Sequence, residues 1–111
     1  MIIYVAGKYS GKNWGEKQLN TDRATDAGLK IIKKGHYPLI PHHTHYTDLR
    51  ANYLGFEIEY EKWLALDNMI IPKCDAFVQI SHSNGSDKER VLAEKLGLRI
   101  FNSLEDIPDE T

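Results

Sequence analysis

Two carboxylates stand where helices would be expected to carry apolar side chains. Phe56, Tyr60, Trp63 and Ile70 recur at helical spacing, and Asp67 continues that stripe between Trp63 and Ile70. Farther along, Leu92, Ala93 and Leu96 share a predicted core face with Glu89, one turn earlier. Burying an unpaired charge is expensive, so each acid must turn out to solvent, find a fixed partner, or sit where its face opens into a cavity. For Glu89 there is also a purely local use. Ser86-Asp87-Lys88-Glu89 has the Ser-x-x-Glu form of a capping box, in which the glutamate bonds back to the start of its own helix. Spacing alone leaves these alternatives open. If both acids face one crevice, they form the pair needed at a glycosidic bond, one attacking the sugar carbon while the other protonates the departing group. Glu89, near a positive helix terminus, is expected to stay ionised, and a more desolvated Asp67 to hold a proton.

The elements that must position these acids alternate in type. Met1 to Ala6 is a short β-branched run, apolar on both faces, as a central parallel strand requires, and Gly7 opens a loop after it. A helix is predicted from about Trp14 to Lys34, with Leu19, Ala24, Ala27 and Ile31 inward and Gly35 as its stop. Tyr37 to Ile40 is a second strand, and His42 to Gly55 is expected to be a functional loop with at most an irregular helical turn. A second helix spans Phe56 to Ile70 and ends near Pro72. Asp75 to Ile80 is a third strand, Gly85 to Leu96 a third helix ended by Gly97, and Leu98 to Phe101 a fourth strand. This order predicts one α/β domain over residues 1–111, a small flavodoxin-like or Rossmann-like three-layer fold with a mainly parallel sheet of four or five strands. In open sheets of this kind ligands sit beyond the carboxyl ends of the strands, here just after Ala6, Ile40 and Ile80.

Composition narrows the partners. A formal charge of −2 gives no basic field for a nucleic-acid polymer, which favours a small molecule held by a local arrangement. The loop Ser81-His82-Ser83-Asn84-Gly85-Ser86 offers hydroxyls and N–H groups at a helix N-terminus, suited to a phosphate. One cysteine, Cys74, no signal segment, and no apolar run near the roughly 20 residues that cross a bilayer point to the reducing cytoplasm and away from membranes. Pro108 to Thr111 is expected to fray.

These residues together resemble the nucleoside 2-deoxyribosyltransferase-like superfamily, which includes base-exchanging transferases and hydrolases of deoxynucleoside 5′-monophosphates. The resemblance spans nearly the whole chain. It is carried by Ile3-Tyr4-Val5-Ala6-Gly7, Gly35-His36-Tyr37-Pro38, Trp63-Leu64-Ala65-Leu66-Asp67, Cys74-Asp75-Ala76 and Gly85-Ser86-Asp87-Lys88-Glu89. It implies that Glu89 is the nucleophile, that Asp67 assists base departure, that Tyr4 orients the nucleophile, and that Asp75 is more structural than catalytic. Substrate contacts are expected from Gly7, Lys8, Ser10, His43, His45, Ser83, Gly85 and Ser86, with no cofactor. Where the transferases commonly have an Asp six residues before the nucleophile, this chain has Ser83, as the monophosphate hydrolases do. The implied activity is hydrolysis of the base–deoxyribose bond of a deoxynucleoside 5′-monophosphate. Base exchange on free nucleosides is the alternative enzyme, and a nucleotide-binding or sensing module without turnover is the alternative from another class. Exposed aromatic surface on the helix of Phe56, Tyr60 and Trp63, together with the habit of the superfamily, leads to the expectation of a homodimer or larger ring.

The stretch Pro41-His42-His43-Thr44-His45-Tyr46 resembles one found in a short, uncharacterised branch of that superfamily. His42, His43, His45 and Asp48 invite a zinc reading, since His-x-His binds zinc when a third ligand approaches, but a loop lacks the fixed helical spacing of the better zinc motifs. No metal site is therefore assigned, and His43 or His45 is expected at the base or phosphate. Lys12 and Lys17 read as solvated charges, and Trp14 as packing on the first helix.

Overall fold

A computed structural model describes all residues from Met1 to Thr111. Four strands, β1 (Ile2–Ala6), β2 (Tyr37–Leu39), β3 (Ala76–Gln79) and β4 (Arg99–Phe101), form one sheet in the order β2-β1-β3-β4. Every pairing is parallel, and β1 is central, with Ile3 opposite both Pro38 and Ala76. The helices are α1 (Trp14–Lys33), α2 (Thr44–Tyr53), α3 (Tyr60–Ile70) and α4 (Asn84–Lys95). The architecture is thus the expected small three-layer α/β fold. No helix is long and apolar enough to cross a membrane.

The period of two along the strands divides the core into two layers. Ile3, Val5, Ala76 and Val78 point to one side and pack with Ala24, Ala27 and Ile31 of α1. Tyr4, Ala6 and Phe77 point to the other, against Ala93 of α4 and the turn that holds Ile71 and Cys74. A central strand covered on both faces has no polar face to show, which is why Ile3 through Ala6 are all fully buried. Gly35 (φ +89°) and Gly97 (φ +77°) end α1 and α4 in a conformation that an L side chain rarely adopts.

Several expectations need correction. The segment after β2 is not a loop: Pro41–His43 forms a 3-10 turn that runs directly into the ten-residue helix α2. Leu19 and Leu96, taken as inward, are half-exposed, and α1 is sealed instead by Thr21 and Gly28 alongside the three expected residues. α3 begins at Tyr60 rather than Phe56 and has no fully buried residue, so its stripe does not face the core. The C-terminal segment is pinned rather than frayed. Lys34 Nζ donates to the carbonyls of Leu104 (2.7 Å) and Ile107 (2.9 Å), and His36 Nε2 lies 2.7 Å from the Pro108 carbonyl. Glu110 N–H donates to Lys34 O at 2.8 Å, closing the chain against the end of α1.

Candidate active site

The carboxyl ends of β1 and β2 and the first turn of α4 open into a cavity of about 610 Å³, walled also by α2 and α3. This is the edge at which a parallel sheet gathers ligand-binding loops. Asp67 and Glu89 both line it, from different helices. The stripe of α3 is therefore a cavity wall, with Tyr60, Trp63, Leu64 and Asp67 at its surface.

Glu89 does not cap its helix. The cap of α4 is Ser83, whose Oγ accepts from Ser86 N–H at 3.1 Å, while Ser86 Oγ accepts from Ser83 N–H at 2.9 Å. The capping box exists, shifted three residues from the expected one. Glu89 falls beyond the first turn, on the inward face, only 8 % exposed. Tyr4, fully buried and stacked on Phe77, donates its hydroxyl to Glu89 Oε2 at 2.5 Å. Tyr4 does not line the cavity, and its hydroxyl bears on both acids, stabilising the Asp67 carboxylate as well as that of Glu89.

The two acids differ in environment, though not for the expected reason. Burial, then the charge of Glu89, pushes the Asp67 carboxyl up to about 7. Burial also raises Glu89, against the pull of the Tyr4 hydroxyl, which stabilises its anion. Glu89 is thus raised overall, and what opposes the rise is its hydrogen bonding to the Tyr4 phenol and to Asp67. The Tyr4 hydroxyl is itself far harder to ionise than usual, because of its burial and the neighbouring carboxylates, so it remains a donor.

Of the expected substrate contacts, Gly7, Lys8, Ser10, Ser83, Gly85 and Ser86 line the cavity. The hydroxyls of Ser83 and Ser86 are engaged in the cap, so the anion-binding capacity of this corner lies in the first-turn N–H groups of Asn84 and Gly85, which take no backbone partner. His43 and His45 are not at the cavity. His43 Nε2 lies 2.9 Å from the Thr25 hydroxyl, and His45 is buried between Tyr9 Oη and Gln18 Oε1, each at 2.9 Å. The 3-10 turn rotates His42 into the cavity wall instead. No group of three His, Cys, Asp or Glu side chains converges as a metal site would require.

Sequence reasoning also missed Tyr9, Asp48, Tyr60 and Lys17 at the cavity. Lys17, read as a solvated charge, lies 4.4 Å from the Trp14 ring centroid. Asp48 accepts from Trp63 Nε1–H at 2.6 Å and so ties α2 to α3 across the cavity. Tyr60 stood on the stripe that carries Asp67 and Asp48 stood beside the histidines, but nothing in the sequence set Tyr9 or Lys17 at a cavity. Asp75, expected to be structural, accepts from Ile2 N–H at 2.8 Å at the opposite end of the sheet.

The chain belongs to the DUF4406 family, a domain of unknown function whose model matches residues 1–102. No curated protein matches it.

Proposed function

We propose that this member of the DUF4406 family is an N-glycosidase that hydrolyses the base–deoxyribose bond of a deoxynucleoside 5′-monophosphate. The observation that carries this reading is the pair Glu89 and Asp67 on one cavity, one acid held by a buried tyrosine and the other raised to about 7. Glu89 attacks the anomeric carbon as the carbon–nitrogen bond breaks, and protonated Asp67 gives its proton to the departing base nitrogen. Water then attacks the same carbon and loses a proton to the Asp67 carboxylate. Glu89 is released, and the products are the free base and 2-deoxyribose 5-phosphate. The 5′-phosphate is assigned to the N-terminus of α4, where Asn84 and Gly85 offer N–H groups. Lys8, on the same cavity, supplies a balancing charge.

Incubation with each deoxynucleoside and its 5′-monophosphate, with and without an acceptor base, tests this by chromatography. Free base released from monophosphates alone is the expected result. Exchange of bases on free nucleosides would replace the hydrolase with a transferase. Binding without any product would leave a nucleotide-binding module.

Tyr4→Phe isolates the hydroxyl. Phenylalanine keeps the stack on Phe77, so the fold should survive with a loss of about 1 to 3 kcal/mol from the missing bond. Because the Tyr4 bond lowers the Glu89 pKa, its removal raises it further and should shift the acid limb of the rate profile to higher pH. We expect kcat to fall about 10- to 100-fold with KM little changed. An unshifted pH profile would remove Tyr4 from the mechanism.

We also propose that the protein assembles as a homodimer or larger ring through the α2–α3 region, where Tyr53 (78 % exposed), Phe56 and Tyr60 stand uncovered and α3 has no buried residue. Light scattering at micromolar concentration should show more than a monomer, and a monomeric mass removes the proposal.

A further inference from the structure

The strand order reverses between β1 and β3, and the chain leaves these neighbours toward opposite faces of the sheet, to α1 after β1 and to α4 after β3. The crevice between them therefore opens on both sides. Its α4 side is the cavity of Glu89 and Asp67. Its α1 side is a second cavity of about 320 Å³, floored by Ala27, Ile80 and Leu104. The loops after β1 and β3 form the partition: Lys8 N–H donates to Ser81 Oγ at 2.8 Å, and a Cβ on Gly7 would come within 2.7 Å of the Ile80 side chain. Lys8 lines both cavities.

The wall of the second cavity is cationic in a chain whose net charge is −2. Lys8, Arg23 and Lys30 stand against one acid, Asp26. Asp26 is one turn from both Arg23 and Lys30 and pairs with neither, since the only ion pairs of the molecule are His82 with Asp87 and Arg90 with Glu94. Asp22 is turned toward α2, where it accepts from Gln18 Nε2 at 2.9 Å. Gathering unpaired like charges on one concave wall is unfavourable unless an anion is held there. Asn20 fixes the loop that presents Lys8, donating to the carbonyls of Tyr9 at 3.0 Å and Ser10 at 3.1 Å. Arg23 and Lys30 lie two turns apart on α1, about 10 Å along its axis, with Lys8 on the facing loop. A chain of two or three phosphoryl groups spans that distance, and the apolar floor beneath it accepts a nucleoside.

We propose that the second cavity is an effector site for a polyphosphate, either the tail of a nucleoside triphosphate or a free polyphosphate, and that its occupant opposes substrate binding by drawing Lys8 out of the first cavity. The effector site stands apart from the glycosidase reading. The coupling rests on that reading, in which Lys8 balances the charge of the substrate's phosphate. One ammonium group cannot neutralise two anions on opposite sides of a loop, and linkage makes the opposition mutual.

The test is amide NMR of the ¹⁵N-labelled full chain, titrated with tripolyphosphate and with deoxyadenosine triphosphate. The amides of Arg23, Ala27, Lys30 and Ser81 should shift and saturate, and Arg23→Gln/Lys30→Gln should weaken this binding at least about 10-fold. Both residues are exposed and glutamine is a good helix former, so the fold is kept. Lys33→Gln/Lys95→Gln removes the same charge from exposed positions outside both cavities and should leave the binding intact. Equal weakening by the two variants would mean diffuse surface attraction and overturns the site. Tighter binding of the nucleotide than of tripolyphosphate identifies a nucleoside triphosphate as the effector, and equal binding a free polyphosphate. With saturating effector, KM for a deoxynucleoside 5′-monophosphate should rise about 5- to 10-fold at unchanged kcat, and the rise should vanish in Arg23→Gln/Lys30→Gln. A rise that persists in that variant puts the effector in the substrate cavity and overturns the coupling. Amides of α1 that stay still while those of Asn84 and Gly85 move overturn the effector site and leave the glycosidase reading standing. Saturable shifts on α1, in a protein that releases no base from any nucleotide, defeat that reading and leave the site standing.

Discussion

Glu89→Gln should lower the release of free base by about 10³-fold or more while the protein stays folded and binds its substrate at least as well. The glutamine oxygen can still accept the Tyr4 hydroxyl, so the bond that fixes the side chain is retained while the nucleophile is lost. Removing the charge also removes the largest cause, after burial, that raises Asp67, whose carboxyl should then titrate closer to an ordinary aspartate. Calorimetry with a deoxynucleoside 5′-monophosphate and a carbon-13 titration of Asp67 report the two effects separately. A variant that keeps more than about a tenth of wild-type activity would remove Glu89 as nucleophile.

Asp67→Asn should lower activity and raise stability together. The loss of a general acid costs about 10² to 10⁴ in rate, and the loss should shrink for nucleotides whose base departs readily without a proton. The stability effect follows from sign. The folded-state pKa of Asp67 is raised, so folding favours the neutral acid, and the penalty for its charge grows as pH rises from the unfolded value through about 7. Asparagine carries no such penalty. Discounted for the solvent that still reaches this side chain, the variant should gain about 2 kcal/mol at mildly alkaline pH and nothing under acid conditions below the unfolded pKa. Urea unfolding at the two pH extremes measures it, and an equal gain at both would mean that the acid is not desolvated as described.

The legible parts of the molecule were those where one residue's environment follows from its neighbours in sequence. β1 declared itself by four consecutive buried side chains, and α4 by Ala93 and Glu89 on one face. α2 was invisible because only His45 and Ala51 of its ten residues are buried, so it has almost no stripe to read. The histidines were misassigned for a related reason. A 3-10 turn advances side chains by a different angle from an α-helix, and the junction at Thr44 decides which histidine meets the cavity. The cap is Ser83 where the sequence led to Ser86, and the three-residue shift between them separates a glutamate that serves its helix from one that faces the cavity. On α3, Trp63, Asp67 and Ile70 of the stripe are half-buried while Phe56 and Tyr60 are exposed, because periodicity reports that residues share a face, not whether core, cavity or solvent lies against it.

The absence of any buried residue on α3 divides the site into unequal halves. Glu89 and Tyr4 belong to the interior, whose amides should exchange with solvent only when the whole molecule opens. Asp67 rides on a helix anchored mainly at its end, by buried Ile71 and Cys74, and laterally by the bond from Trp63 to Asp48. Such a segment can detach at a fraction of the global cost. Exchange rates measured residue by residue should therefore show a protected Glu89 and a poorly protected Asp67, so that one wall of the cavity can open while the other stays fixed.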